Sequence, residues 1–473
     1  MSISPTDPSA GPSGAAPPPG CPAHGLDAEG ISRLYGPDAE ADPMALYNQL
    51  REKYGEVAPV LVPGDVQAWL VLSHAGNLRV LNNPLQFSSD PRNFNQVIGP
   101  EHPLAPITFR QSLINFADGE EHKRLRAAVT DVLAKVNTRG VRQRITQAVN
   151  DLVAEFAPEG RADLVKDVAE HLPMIVMSRL VGIDDVPAQR LAEACRDLMQ
   201  GTPTAVDSNK FLLETLYQLV ETKKTAPGRD LASWLLEHEA GLEDKEVVEH
   251  LRHILVASNE TTVNLISDAL RVALTHTAFR AHLAGGSMTV PDALDDVLWN
   301  NPPLRVLPAR YAVGDITLGE QEIRGGDMVL NGIAAGNVDP LIRPDLSSRM
   351  SGNRSHLAFS SGPHECPGQS LGKTIAEVAI DVVLAGLPDL QIDLSEGELT
   401  RTPTWTSSHL DTLPVVFTPV KVQRRPTGAM PLAGAAMPAE QPATAAVFPP
   451  AEQPAPVAGT PRPSWWRRLL RLR

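Results

Sequence analysis

Apolar positions return every three or four residues over 121–156, 161–181, 208–223, 244–280 and 369–384. Each stretch therefore presents an apolar face and is predicted to be an amphipathic helix. Gly386, just past the last of them, supplies a stop signal. Residues 56–72 (EVAPVLVPGDVQAWLVL) leave that period and predict a hairpin turning at Pro63-Gly64-Asp65. Between 303 and 335 the pattern shortens to alternating strands, RYAVGDITL and MVLNGIA. The order predicts a mainly α fold with a small β subdomain. No Gly-rich strand–turn–helix unit, P-loop or repeat of about 20–50 residues interrupts it, which leaves nucleotide-binding folds without support.

Both ends depart from this pattern. Residues 1–25 hold seven prolines among Gly, Ser and Ala, too little apolar surface to offset the entropy of ordering, and read as a disordered arm. From Pro426 to Pro463, ten of 38 residues are Pro and eleven are Ala, with PAEQPA at 438–443 and again at 450–455. That composition makes a semi-extended linker, assigned to 424–463. The chain ends in SWWRRLLRLR, a basic amphipathic tail over 464–473. Residues 421–473 hold eight Lys or Arg against two Glu, a surplus of +6 that leaves −20 on the rest of a chain whose formal net charge is −14. An acidic body argues against nucleic acid as a partner, because phosphates demand a basic face. The tail suits an anionic membrane surface or a docking protein. Three cysteines, Cys21, Cys195 and Cys366, cannot build a disulfide framework, and no run reaches the roughly 18 apolar residues of a bilayer span. With no basic-then-apolar leader, the expectation is a cytoplasmic protein, peripheral to the inner face of the membrane where the tail engages lipid.

Chemistry concentrates around one cysteine. Cys366 stands in Phe359-Ser-Ser-Gly362-Pro-His364-Glu-Cys366-Pro-Gly368, a Gly-rich loop at the mouth of the helix 369–384. Helix N-termini carry unpaired N–H groups and a partial positive charge, which favour a thiolate. Such a thiolate is either a nucleophile, with His364 as the candidate base, or an axial iron ligand, with glycines that let the backbone approach a flat cofactor and give N–H groups to sulfur. In helix 244–280, Ser258-Asn259-Glu260-Thr261-Thr262 interrupts the apolar run between Ile254 and Ile266. Five polar residues in mid-helix are either a solvated face or buried groups that must be used or hydrogen-bonded. His122 and Arg126, four apart in Phe116-Ala-Asp-Gly-Glu-Glu-His122-Lys-Arg-Leu-Arg126, share one helical face, which either meets solvent or grips an anion.

The pattern Phe-x-x-Gly-x-His-x-Cys-x-Gly resembles the haem-ligand loop of cytochrome P450s, and the other segments stand in that family's order across roughly residues 30–420. The resemblance implies a P450 fold over 26–423 and heme b (iron protoporphyrin IX) with Cys366 as its metal ligand. It implies a soluble bacterial-type monooxygenase that inserts one oxygen atom of O2 into a small organic substrate. Electrons would come from a separate ferredoxin-type donor. On this reading Phe359, Gly362, His364 and Gly368 shape the haem loop, and His122, Arg126 and Arg310 (in Arg-Tyr-Ala) join His364 in holding the propionates. Glu260 and Thr261 would be catalytic, Glu260 on the proton-delivery route and Thr261 as a hydrogen-bond partner of dioxygen. Segments such as 80–115 and 185–210 would line the substrate pocket. Three departures stand out. Ser360 and Ser258 occupy usual Gly positions, the first implying a loop set slightly further from the haem edge. Glu-x-x-Arg reads Asp296-Val-Leu-Trp299, preceded by Asp295, so its ion pair with the short meander from Asp339 to His356 cannot form as usual, which leaves either apolar packing in its place or impaired haem retention. That loss sustains an alternative of another class, a non-oxygenase haemoprotein serving as a redox or assembly component at a membrane, which the intact Glu260 and Thr261 oppose.

Overall fold

The apolar faces become the helices α1 (His74–Leu81), α2 (Gly119–Ala134), α3 (Thr138–Phe156), α4 (Leu172–Val181), α5 (Ala188–Gln200), α6 (Ala205–Thr225), α7 (Asp244–Thr275), α8 (Val290–Asn300) and α9 (Gln369–Gly386). The computed structural model describes residues 30–99, 102–276, 281, 285, 286, 288–393 and 399–421. The arm 1–25, the linker 424–463, the tail 464–473 and Cys21 lie outside them. The chain divides into two units, Met1–Pro426 and Thr427–Arg473, and every described residue belongs to the first.

Two predicted helices are divided. The run 121–156 is broken after Ala134, and Asn137 restarts it as α3 by accepting from the N–H groups of Arg139 and Gly140 at 3.1 and 3.3 Å. The run 161–181 opens as a strand, Arg161–Asp163, antiparallel to Pro414–Val416, before a π-helical turn at Val165–Ala169 and then α4. Gly160, left-handed at φ 72°, turns the chain into that strand. Among the described residues the run 244–280 is helical to Thr275, where the backbone of His276 becomes extended.

The strands β1 (Ser32–Arg33), β2 (Val57–Val62), β3 (Val66–Val71), β4 (Phe87–Ser88), β5 (Val306–Ala312) and β6 (Met328–Gly332) form one sheet in the order β1-β2-β3-β6-β5-β4. The β2–β3 hairpin pairs Val62 with Val66 around Gly64 and Asp65, both left-handed. Strand β5 pairs Leu307 with Asn331 but then Arg310 with Val329, so one extra residue is bulged out of the ladder. Ala309, inside that bulge, has φ 64°.

Helix α7 is the axis of the larger core. Its Leu251, Leu255, Val263, Ile266 and Leu270 are fully buried, and it packs against α4, α5, α6, α8 and α9. At about 1.5 Å per residue its 32 residues span roughly 48 Å. The sheet has a second cluster around Val60, Leu70, Tyr311 and Leu330. Among the described residues no helix is long and apolar enough to cross a membrane.

Candidate functional site

A 3-10 turn at Leu357–Phe359 leads into the Cys366 loop, where the Cys366 N–H donates to Phe359 O at 2.9 Å. The thiol is accessible from its open side while protein closes around the rest. That crowding raises its pKa; the N–H groups of Gly368 and Gln369 and the charge of Arg126 pull it back toward thiolate. Gly362 is left-handed at φ 71°, and a Cβ there would come within 2.6 Å of Leu81 O, so a larger residue does not fit. A Cβ on Gly368 would make only ordinary contact with Sγ, at 3.9 Å. Ser360 has φ 64° and ψ −163°, a conformation almost confined to glycine. The serine thus follows a glycine path, and its buried Oγ has no partner among the described residues.

Four basic side chains from three distant segments converge beside this loop. The rings of His122, on α2, and His364 lie 4.1 Å apart. Burial, then the neighbouring His364 and Arg126, push His122 down to about 4, which makes it a neutral hydrogen-bond donor rather than a second cation. Its Nε2 is buried with no partner among the described residues. Arg310 is swung inward by the β5 bulge, and burial lowers it to about 10. Burial lowers Arg126 as well, while Cys366 and Glu365 oppose that shift. Asp118, immediately before α2, supplies a counter-charge. It accepts from Ser88 Oγ at 2.6 Å and the Ser89 N–H at 2.8 Å, and its Oδ1 lies 3.4 Å from His364 Nε2. Burial raises its pKa, yet these bonds outweigh it and bring the carboxyl to about 2. His364 also meets Ser89 Oγ at 3.1 Å. Since His364 is engaged by Asp118 and Ser89, the geometry gives no support to its use as a base for Cys366.

The polar segment of α7 is not a solvated face: Asn259, Glu260 and Thr262 are buried. Thr261 donates to Ala257 O at 2.6 Å and stays partly open together with Ile254, Ala257 and Ser258, a stripe at helical spacing. Gly372 of α9 lies against Thr262, a Cβ there falling 3.9 Å from Oγ1, so the helix that starts after Cys366 packs on this segment. Glu260 Oε1 is 3.2 Å from His409 Nδ1. His409 also reaches Glu170, and although burial opposes its charge the two carboxylates raise it to about 9. Cys195, on α5, is fully buried and its thiol is pushed up to about 12, which leaves it inert.

Trp299 sits on α8 with its ring stacked near His74 and edge-on to His356, and donates from Nε1 to Asn353 O at 2.8 Å. Asp296 accepts from the Met350 N–H at 2.9 Å. The expected replacement of the ion pair by apolar packing is therefore only half of the arrangement, because both side chains tie α8 to the meander by hydrogen bonds to its backbone. The buried acid of this region is Asp295, which pairs with Lys373 of α9 and lies 3.7 Å from Arg354.

Sequence reasoning missed Asp118, Glu170 and His409. Asp118 had a signal, since it precedes His122 by one helical turn. The other two come from segments with no motif and meet only in the fold. The residues present suit the haem that the resemblance implies. A thiol faced by two N–H groups is the donor for iron, and the unpartnered His122 Nε2 with the buried Arg310 and Arg126 forms an under-neutralised basic site for two carboxylates.

No protein-family model matches the chain. It is 30% identical over 409 residues to the cytochrome P450 monooxygenase PikC of Streptomyces venezuelae, covering 83% of this chain and 95% of the relative. It is 28% identical to the mycinamicin IV hydroxylase/epoxidase of Micromonospora griseorubida, over 80% of this chain and 95% of that one. A testosterone-bound CYP154C4 structure from Streptomyces sp. ATCC 11861 superposes with a TM-score of 0.73 at 27% identity, over 80% and 96% of the two chains. Monooxygenases among the relatives do not favour the non-oxygenase alternative.

Proposed function

The chain belongs to the cytochrome P450 family and is a haem-dependent monooxygenase; on that footing we propose that it holds heme b through Cys366 and oxidises an apolar organic substrate with electrons from a ferredoxin-type donor. The observation that carries the reading is the convergence of an open-sided thiol, two N–H groups aimed at it and an under-neutralised cluster of His122, Arg126, Arg310 and His364. Once bound, the haem supplies oxygen activation, which a thiolate ligand favours by pushing electron density into iron.

The chain's own residues do the rest. The basic cluster anchors two carboxylates, His122 as a neutral donor and the arginines as cations. The N–H groups of Gly368 and Gln369 temper the sulfur. Thr261, half-open in a buried helix, orients dioxygen, and Glu260 belongs to the route that delivers protons to it. Ile254, Ala257 and Ser258 give the substrate side of α7 a mostly apolar lining. The haem domain extends over 26–423. The tail 464–473 docks this domain on anionic lipid, Trp465 and Trp466 at the interface and five arginines within 462–473 facing lipid phosphates, with the linker 424–463 keeping the acidic body clear of a negative surface.

The test is turnover under 18O2 with a surrogate ferredoxin and its reductase, using testosterone as the probe. One labelled oxygen per oxidised product is expected. Product without label, or a haem that accepts no electrons from any ferredoxin tried, contradicts the reading.

A further inference from the structure

The acid of α7 does not end in an isolated side chain. His409, on the strand Ser408–Leu410, lies between two carboxylates. Its Nδ1 is 3.2 Å from Glu260 Oε1 and 3.0 Å from Asn264 Oδ1, and its Nε2 is 3.4 Å from Glu170 Oε1. Glu170 in turn meets Arg196 of α5 at 2.9 Å. Side-chain exposure rises steadily along this row, from 3% at Glu260 through 9% at His409 and 20% at Glu170 to 27% at Arg196, so it runs from the core to solvent. The inner end is rich in unsatisfied polar atoms: Glu260 Oε2, Asn259 Oδ1, Asn264 Nδ2 and Ser267 Oγ are buried with no partner among the described residues. Glu260, Asn264 and Ser267 share one face of α7 at helical spacing. The next charged groups on that side, Asp268 with Arg271 and Arg401, pair among themselves.

We propose that Glu170 and His409 form the proton entry route to Glu260, with His409 relaying protons through its ring. The proposal rests on the reading of Glu260 and Thr261 given above. In one cycle the imidazolium passes its Nδ1 proton to Glu260 Oε1 and becomes neutral. A turn of the neutral ring about its Cβ–Cγ bond then carries the bare Nδ1 toward Glu170, where it takes a proton that Glu170 has drawn from solvent, and the ring turns back to Glu260. One proton enters for each delivered and no electrons move. An imidazole is suited to this because it can bond a donor and an acceptor on opposite edges. His409 is a relay and positioning residue in this scheme, acting through Glu260.

Two measurements on the haem-loaded enzyme test it. In 15N-histidine spectra of the ferrous carbonyl form, His409 is expected to carry both ring protons through neutral pH and to titrate near 9, with the midpoint falling in Glu260→Gln and in Glu170→Gln. A His409 that titrates at the ordinary value in the wild type overturns the proposal. In the second measurement, electrons are fed through a ferredoxin pair with testosterone present, and peroxide formed per electron pair is counted. His409→Gln and Glu170→Gln are expected to raise it several-fold, as Glu260→Gln and Thr261→Ala should, and His409→Arg, which keeps a cation beside Glu260 but cannot relay, should stay raised. If His409→Arg is restored to the wild-type level, His409 is a clamp and the relay is overturned. If only Glu260→Gln and Thr261→Ala raise peroxide, the relay fails while the acid–hydroxyl pair stands; if none does, both fail. Should His409→Gln lose its haem, the more exposed Glu170→Gln carries the test.

Discussion

Ser360 holds a backbone conformation that suits only glycine, at a cost of about 1–3 kcal/mol for a residue with a Cβ. Among the described residues nothing recovers that cost through its hydroxyl, which is buried without a partner. Ser360→Gly should therefore stabilise the folded protein by about 1–2 kcal/mol in chemical denaturation and leave haem ligation unchanged. A destabilised variant would mean that the hydroxyl is used. His409 leaves a different mark. Its folded pKa, about 9, lies above the ordinary value of 6.5, so its stabilisation is complete below 6.5 and disappears as the pH rises through 9. The amount is on the order of 3 kcal/mol. Unfolding free energy measured from pH 6 to 10 should fall over that window in the wild type and flatten there in His409→Gln. Equal slopes for the two proteins would remove the charged-imidazole assignment.

At the scale of the element, α8 and its neighbours replace one ion pair by several smaller ties. Trp299 is fully buried, and its N–H bond to Asn353 O and its contacts with His74 and His356 fill the space that an Arg would need. Asp296 is already used by the Met350 N–H. Trp299→Arg should bury a poorly paired cation and cost about 3–5 kcal/mol, while Trp299→Phe keeps most of the packing and loses about 1–2 kcal/mol for the unpaired carbonyl. Thermal denaturation of both checks the order; an Arg variant more stable than wild type would show that the ion-pair site survives. Much of this level was legible in advance. Helices α6, α7 and α9, the β2–β3 hairpin and the loop around Cys366 follow from local period and turn chemistry. The strand at Arg161–Asp163 did not, because its partner Pro414–Val416 is some 250 residues away. The same holds for Arg310: its strand could be read from alternation, but the bulge that turns it inward is set by register against β6. Long-range pairing also explains why Glu170 and His409 were invisible, whereas His122 and Arg126, one helical turn apart, were not.

For the whole molecule, charge separates body from tail, near −20 against +6. The full-length protein should sediment with anionic vesicles in a salt-sensitive manner, and removal of residues 464–473 should abolish this without altering the haem spectrum. Equal sedimentation of the two forms removes lipid docking. The central claim is that one thiolate, Cys366, holds the haem at the head of α9. It is tested most directly by the visible spectrum of the purified protein, reduced and exposed to carbon monoxide, for wild type, Cys366→Ala and Cys195→Ala. A thiolate-type carbonyl band in the wild type and in Cys195→Ala, lost in Cys366→Ala, is the predicted result. Persistence of that band without Cys366, or its absence from the haem-loaded wild type, would contradict the account.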